Sequence, residues 1–191
     1  ELLRDHWPAV LGGTLAAIAC FAIFYLATAF ALGFGTGTIG IARETFLGIQ
    51  LFAILFLALG IIVSGYAADR FGAGNVLMVG CGLTLGVAAM IVPTLGSGQV
   101  PLIALFLSSA LFAMGLVYGP LGAWLPGLFP ARVRYSGASV AFNMAGILGG
   151  GLAPLIAQRL ADQSGLGAVG VYLAVCSGLS LIGLIGLRAK G

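Results

Sequence analysis

Charged residues are scarce in this chain. Of its 191 residues, 8 are Lys or Arg and 5 are Asp or Glu, which is 7% together, whereas 61% are hydrophobic. Charged residues make up about a quarter of an ordinary soluble domain, so that class is excluded. The 32 glycines show no three-residue period and the three cysteines are widely spaced, which excludes a collagen-like chain and a disulfide scaffold. A polytopic membrane protein is the class that remains.

Groups that carry catalysis or nucleotide binding are equally scarce. The single lysine, Lys190, excludes a P-loop, and the GxGxxG match at 35–40 has neither the preceding strand nor the later acidic residue that a dinucleotide site needs. The cysteines stand alone in apolar runs, as packing residues, at Cys20, Cys81 and Cys176. There is no extended basic patch with interleaved aromatics. We therefore expect no enzyme, no cofactor, no metal site and no nucleic-acid partner.

The positions of the few charges divide the chain into membrane spans. Five stretches are free of charge, at 7–42, 45–68, 71–131, 135–158 and 163–187. Each is long enough for one crossing at about 20 residues per helix, and the third is long enough for two. Turn-forming residues at 93–101 divide that third stretch. The sequence predicts an all-α membrane protein, a single bundle of six transmembrane helices at about 8–32, 45–67, 75–94, 101–124, 137–158 and 166–187.

The distribution of positive charge orients these spans. Six spans place both termini on one side, which would carry Arg4, Arg70, Arg132, Arg134, Arg188 and Lys190. The opposite side would carry only Arg43 and Arg159. Cytoplasmic loops are enriched in Lys and Arg. The sequence therefore predicts a multi-pass protein of the plasma membrane, the inner membrane of a bacterium, with both termini in the cytoplasm.

The six predicted spans fall into two groups of three. The second group follows the first at an offset of roughly 90 residues, a spacing typical of the internal repeats of transporters. Because each unit crosses the membrane an odd number of times, consecutive units enter from opposite sides. The sequence thus predicts a 3+3 inverted repeat.

A short segment after the second span, residues 65–72, contains Gly65, Asp69, Arg70 and Gly72. A carboxylate at the membrane boundary beside an Arg pairs with helix-end dipoles and with the Arg itself, which would hold one conformation and release another. We call this predicted element the latch. A solvated turn that only marks the end of a helix explains the same residues equally well.

This Gly-x-x-x-Asp-Arg-x-Gly segment resembles the cytoplasmic loop motif of the major facilitator superfamily, in the copy that follows helix eight. Residues 125–139, with Asn143 and 146–154, are similar to the helix ten to eleven region of the metabolite:proton symporter family, which includes shikimate, α-ketoglutarate and proline/betaine permeases. The basic cluster that the family carries after the motif is replaced here by residues 73–75. The resemblance implies the carboxyl-terminal half of a twelve-helix carrier, with a missing amino-terminal half, a small-molecule metabolite and a proton as its partners in the lipid bilayer.

The resemblance also implies that spans one, two, four and five line a central cavity. Their polar side chains are the candidates for substrate contact, because each needs a hydrogen-bond partner inside the bilayer. Asn143 and Gln50 are the strongest candidates, since an amide is costly to bury unpaired. Tyr25, Tyr118 and Ser109 follow. For Thr28, Ser108 and Ser109, helix packing is the more favoured explanation.

Glycine and proline mark where helices would bend or pack closely. Gly119 with Pro120, and Gly150 with Pro154, would soften spans four and five. Pairs in a GxxxG pattern predict close helix contact at 82/86, 115/119 and 146/150. The predicted spans contain no acidic residue, so the sequence predicts that any proton site lies in the missing half.

With these features, the resemblance implies a secondary active transporter, a proton-coupled symporter of a small organic acid or zwitterion that works by alternating access. Two alternatives remain open at this point: a non-transporting membrane scaffold, and a half-size carrier that acts as a homodimer. Arg132 and Arg134 are expected in the cytoplasmic loop between spans four and five.

Overall fold

The computed structural model describes residues 2–188; Lys190, counted above among the terminal charges, lies outside them. The described part is helical, without a strand. After a short helix, Leu2–Asp5, six helices are long and apolar enough to cross a membrane. We label them α1 (Trp7–Gly37), α2 (Arg43–Phe71), α3 (Ala73–Ser97), α4 (Val100–Gly127), α5 (Arg134–Ser164) and α6 (Leu166–Arg188). The predicted all-α membrane fold with six transmembrane helices is confirmed.

Short glycine-containing turns join several of these helices. Gly72 alone separates α2 from α3, and Gly165 alone separates α5 from α6; their φ angles are 85° and 80°. Only glycine adopts such positive φ angles without a steric penalty, so these positions allow the sharp reversals. The predicted loop near 68–74 is therefore one residue long. The predicted loop at 125–136 shrinks to 128–133, because α5 begins at Arg134.

Two of the long helices contain a π-helical segment. In α1 it covers Leu26–Phe30, and in α5 it covers Gly146–Gly151. The last turn of α3, Leu95–Ser97, is a 3₁₀ helix. A π segment inserts an extra residue into the turn and shifts the backbone hydrogen bonds, and such segments are often found at functional sites. Both π segments lie in helices that the resemblance assigns to the cavity.

Helix packing follows the predicted two-unit organisation. Helix α4 packs on α2 and α3, and α1 packs in the same way on α5 and α6. Helices α3 and α6 contact each other, as do α1 and α4. Exchanging α1–α3 with α4–α6 leaves this set of neighbours unchanged. The fold therefore has the 3+3 organisation, with α1 and α4 at the centre of the bundle and the wide face of α2 exposed.

The two central crossings depend on glycine. A Cβ atom on Gly60 of α2 would lie 2.5 Å from the carbonyl oxygen of Phe112, and one on Gly149 of α5 would lie 2.5 Å from that of Ile18. Gly115 is equally constrained, 2.6 Å from the carbonyl oxygen of Leu57. These distances are shorter than any side chain tolerates without a backbone shift. The three glycines thus allow α2 to pack closely on α4, and α5 on α1.

The remaining predictions about helix packing had different outcomes. A Cβ on Gly82 or Gly86 would have no atom within 4 Å, so the predicted close helix contact at that pair is wrong. Gly146 and Gly150 face Phe21 and Tyr25 of α1, respectively. The three cysteines are buried, as expected of packing residues: Cys20, Cys81 and Cys176.

Candidate functional site

A groove of about 790 Å³ opens where the end of α4 meets the start of α5, at the end of the bundle that carries both termini. Ile61 of α2 closes one side of it. Its volume is in the range of pockets that hold small molecules. We call this cavity the terminal groove. Most of its lining is apolar, and its polar side chains come from α4 and α5.

Helix α5 supplies most of the polar side chains of the terminal groove. Tyr135, Ser139 and Asn143 lie four residues apart, so they occupy one face of the helix. Tyr118 of α4 lines the groove as well. Arg134 completes the set at the first turn of α5. The groove thus combines an amide, two phenols, a hydroxyl and one cation.

Hydrogen bonds position two of these side chains. The Asn143 Nδ2 donates to the backbone oxygen of Ser139 at 2.8 Å, and lies 3.4 Å from the Ser139 hydroxyl. The Nε of Arg134 donates to the backbone oxygen of Phe129 at 3.3 Å. Arg134 has further N–H groups in its planar guanidinium beyond the one used there. These bonds orient both polar heads without exhausting their donors.

The charge of the terminal groove has one sign. Arg134 is the charged residue among the described residues that line it, and no Asp or Glu lines it. A guanidinium binds a carboxylate through paired, charge-assisted hydrogen bonds. The neighbouring phenols and amide bind hydroxyl or carboxylate oxygens. The arrangement suits a small solute with at least one anionic group.

A second groove, of about 530 Å³, lies between α2 and α4 toward the opposite end of the bundle. Its walls are Phe52 and Phe56 of α2 and Phe112 of α4. Ser108 and Ser109 line it too. We call this cavity the aromatic groove. Ser109, a predicted substrate contact, is therefore placed here and not with Asn143.

Gln50, the other strong candidate, lines neither groove. Its Nε2 donates to the backbone oxygens of Ala27 at 3.1 Å and Thr28 at 2.8 Å. Both carbonyls belong to the π segment of α1, and the oxygen of Thr28 also accepts the backbone N–H of Ala31. The amide of Gln50 thus supports an irregular turn of a neighbouring helix. Its proposed substrate contact has no support from this geometry.

Tyr25 and Thr28 also lie outside both grooves. Tyr25 is 37% exposed and packs beside Gly150 of α5. The hydroxyl of Thr28 donates back to the oxygen of Phe24 at 2.7 Å, within its own helix. Thr28 is therefore satisfied locally, as the helix-packing explanation anticipated.

Three residues of the predicted latch, Gly65, Asp69 and Arg70, lie on the last turns of α2, because the helix continues to Phe71, and Gly72 is the turn residue that follows. Asp69 is exposed and forms no ion pair with any described residue. The guanidinium carbon of Arg70 lies 5.5 Å from the ring centre of Phe71. Gly65 has no neighbour within 4 Å of a would-be Cβ. A latch role for these residues stays a prediction.

The two predicted flexing sites differ. Gly150 belongs to the π segment of α5, and regular helix resumes with Pro154 in its first turn. Gly119 and Pro120 lie within the unbroken helix α4, where Gly119 packs against Ser64 of α2. An irregular backbone therefore accompanies only the α5 site.

Sequence reasoning missed part of the terminal groove. Starting the fifth span at residue 137 left Arg134 and Tyr135 in a loop and hid the four-residue spacing of Tyr135, Ser139 and Asn143. The signal was present in the sequence as that spacing. Arg132, the other predicted loop cation, does lie in the segment between α4 and α5.

Comparisons with known proteins show that the chain is similar to bacterial transport proteins. Over 96% of its length the chain is 39% identical to the inner membrane metabolite transport protein YhjE of Escherichia coli, of which it covers 43%. It is 34% identical to the shikimate transporter of E. coli over 71% of the chain and 31% of that protein. It is 29% identical to the citrate-proton symporter of Klebsiella pneumoniae over 85% of the chain and 37% of that protein.

No protein-family model matches the chain, and no solved structure matches it. The chain spans less than half the length of the curated relatives that it matches. Those relatives are transport proteins, so the prediction that the chain is not an enzyme is confirmed. The resemblance stated from the sequence is confirmed as well: the chain is a homologue, over nearly its whole length, of bacterial metabolite transporters of the major facilitator type.

Proposed function

We propose that this chain forms the carboxyl-terminal half of a proton-coupled secondary carrier that moves a small organic anion or zwitterion by alternating access. The terminal groove, with Arg134 as its single cation, is the observation that carries the proposal. Citrate and shikimate, named for two relatives, are small carboxylates, and one of those relatives is named as a proton symporter. The proposed site for the carboxylate is Arg134, with Asn143 and Tyr118 contacting other oxygens of the solute.

The missing half of the carrier would supply two things that these residues do not. It would close the terminal groove and cover the exposed face of α2, and it would carry the proton site. The described acidic residues lie at helix ends or outside the long helices, at Asp5, Glu44, Asp69 and Asp162. Proton coupling needs a titratable group reachable from both sides.

For orientation, we propose that both termini face the bacterial cytoplasm. The described Arg residues at the end with the termini outnumber those at the opposite end, where Arg43 and Arg159 lie. The terminal groove would then open to the cytoplasm. Release of the solute into the cell from this groove fits import as the direction of transport.

The test uses the full-length protein that contains this sequence, reconstituted into liposomes with an imposed pH gradient. We expect radiolabelled citrate, shikimate, proline or betaine to accumulate, and a protonophore to abolish the accumulation. A well-inserted protein that accumulates none of these solutes would contradict the carrier proposal and favour a membrane scaffold. Crosslinking and native mass of this chain alone decide whether it forms the homodimer of a half-size carrier.

Arg134 gives the sharper test of the site. In Arg134→Gln the charge-assisted pair with the solute is lost, which is worth about 1.5–3 kcal/mol, so we expect KM for a carboxylate solute to rise at least tenfold. Arg134→Lys keeps the charge but not the planar fork, so its KM should lie between those of the wild type and of Arg134→Gln. Arg132→Gln is the matched control, since Arg132 does not line the groove. Equal KM values for Arg134→Gln and Arg132→Gln would show that Arg134 does not bind the solute.

A further inference from the structure

The side-chain amide of Asn143 has a defined orientation in the terminal groove. Its Nδ2 donates to the backbone oxygen of Ser139, one turn earlier in α5, at 2.8 Å, and the Ser139 hydroxyl lies 3.4 Å from the same nitrogen. A backbone oxygen only accepts hydrogen bonds, so the end of the amide that faces it has to be the nitrogen. The nitrogen of Asn143 is thus turned back toward its own helix.

The oxygen at the other end of this amide, Oδ1, is available for a further contact. No described residue donates a hydrogen bond to it. The Asn143 side chain is exposed, and because both Ser139 and Asn143 line the terminal groove, the amide lies on the helix face that borders it. An amide oxygen accepts hydrogen bonds and donates none. Asn143 therefore offers the groove an acceptor.

The sense of this hydrogen bond complements that of the cation in the same groove. Arg134 can only donate, whereas the phenols of Tyr118 and Tyr135 can donate or accept. No Asp or Glu is present among the described residues that line the groove, so no carboxylate competes for a donor group of the solute. A solute that satisfies both Arg134 and the Asn143 oxygen needs an anionic acceptor and a separate donor. A carboxylate supplies the first, and a hydroxyl or an N–H group supplies the second.

We propose that Asn143 determines the substrate class of the carrier: its amide oxygen accepts a hydrogen bond from a hydroxyl or N–H group of the solute. The carrier then prefers hydroxy acids and amino acids over carboxylates that lack such a donor, because a solute without the donor leaves the amide oxygen unpaired when the groove closes around it. This inference rests on the proposed function and narrows the solute that it names.

Two other roles of Asn143 would leave different traces. If the amide turned over and its N–H groups bound the carboxylate, replacing it would weaken the binding of all carboxylate solutes alike. If its bond to Ser139 only supported α5, replacing it would lower the melting temperature and again affect all solutes alike. An acceptor for a donor group instead changes the ratio of the KM values of two solutes that differ in that group.

The experiment measures this ratio with full-length protein in liposomes. The solute pairs are citrate with tricarballylate, which is citrate without its hydroxyl; shikimate with cyclohex-1-enecarboxylate, which lacks the hydroxyls; and proline with its N,N-dimethyl derivative. One neutral hydrogen bond is worth about 0.5–1.5 kcal/mol, so in the wild type the solute with the donor should have a KM at least about 3–10-fold lower. Asn143→Leu, similar in size but without polar atoms, should reduce the ratio about 3–10-fold by raising the KM of the solute with the donor.

Asn75→Leu is the matched control. The Nδ2 of Asn75 makes the same kind of bond, to the backbone oxygen of Phe71 four residues earlier at 2.7 Å, but at the start of α3 and outside both grooves. Its replacement should leave both KM values of a pair unchanged. Arg134→Gln is a second control and should raise both KM values by the same factor, because both solutes of a pair carry a carboxylate.

The outcomes separate this inference from the proposed function. A KM ratio near one in the wild type, or a ratio that Asn143→Leu leaves unchanged in a protein that still transports, would overturn the inference and leave the carrier proposal standing. Failure of the wild type to transport either member of any pair would instead contradict the carrier proposal.

Discussion

The two central crossings of the bundle occupy equivalent positions in the repeat but differ in backbone regularity. At the crossing of α2 and α4, both helices are regular, and Gly60 and Gly115 bring the backbones together. At the crossing of α1 and α5, Gly149 makes an equally close contact, but each helix contains a π segment. Both crossings join one unit of the repeat to the other, and one of them is regular whereas the other is irregular.

This difference suggests that the two crossings have different roles in the proposed carrier. Irregular turns open at lower cost than regular helix, because their hydrogen bonds are shifted and partly made by neighbours. The crossing of α2 and α4 would then act as a rigid seam. The crossing of α1 and α5 would yield when the groove opens or closes. The predictions below test whether this asymmetry is real.

The largest effect is expected at the regular crossing. In Gly115→Ala the new Cβ would lie 2.6 Å from the backbone oxygen of Leu57 and 2.9 Å from the Cα of Gly60, and neither atom moves without shifting a helix. We expect a loss of about 3 kcal/mol in the free energy of unfolding. Thermal unfolding of the full-length protein, followed by dye labelling of its buried cysteines, measures it.

Gly82→Ala is the control for that experiment, since a Cβ there would meet no atom within 4 Å. Alanine favours helix over glycine, so this variant should be unchanged or slightly more stable. Equal losses in the two variants would show that the close crossing contributes nothing special to stability.

Gln50→Leu should have the next largest effect, at the π segment of α1, one of the two helices of the irregular crossing. It leaves the oxygens of Ala27 and Thr28 without the donor described above, and we expect a cost of about 2 kcal/mol. Hydrogen exchange should rise at residues 26–30 and change little in α4. Faster exchange spread evenly over the bundle would contradict a local role for this amide.

Most of the helix layout could be predicted because it depends on local composition. Charges cannot lie inside a span without a partner, so the five gaps between charges, with the turn-forming residues at 93–101, located all six helices. The π segment Leu26–Phe30 could not be predicted in this way. Its sequence is that of an ordinary apolar helix, and its support comes from Gln50, more than twenty residues away. A side chain predicted as a substrate contact thus has a structural partner in a neighbouring helix, and its contact with a substrate stays a prediction.

The candidate site, too, could be predicted from the sequence only in part. Glycine pairs with the same spacing proved different: Gly115 and Gly119 face α2, whereas Gly82 and Gly86 face open space. Ser108 and Ser109 are adjacent and of one type, yet only Ser108 is buried without a partner. Spacing identifies which residues share a helix face. Tertiary packing decides what that face meets.

Gly149→Ala should cost less than Gly115→Ala although the backbone contact, 2.5 Å to the oxygen of Ile18, is at least as short. The π segment has an extra residue in its turn and shifts more readily than a regular helix. We expect a loss of about 1 kcal/mol in the free energy of unfolding, within the lower range for overpacking. A loss as large as that of Gly115→Ala would abolish the proposed asymmetry.

The smallest effects are expected from the single hydroxyl that bridges each crossing. The Ser64 hydroxyl lies 3.2 Å from the oxygen of Gly115 and shares its proton with the oxygen of Ile61 in its own helix, at 2.8 Å. Thr14 donates to the oxygen of Ala141 at 3.3 Å. Hydrogen bonds between membrane helices average about 0.6 kcal/mol, so Ser64→Ala and Thr14→Val should each lose roughly that amount in unfolding experiments. Since the two bonds are alike in length, equal losses would attribute the asymmetry to backbone regularity. A loss confined to one variant would attribute it to that hydrogen bond instead.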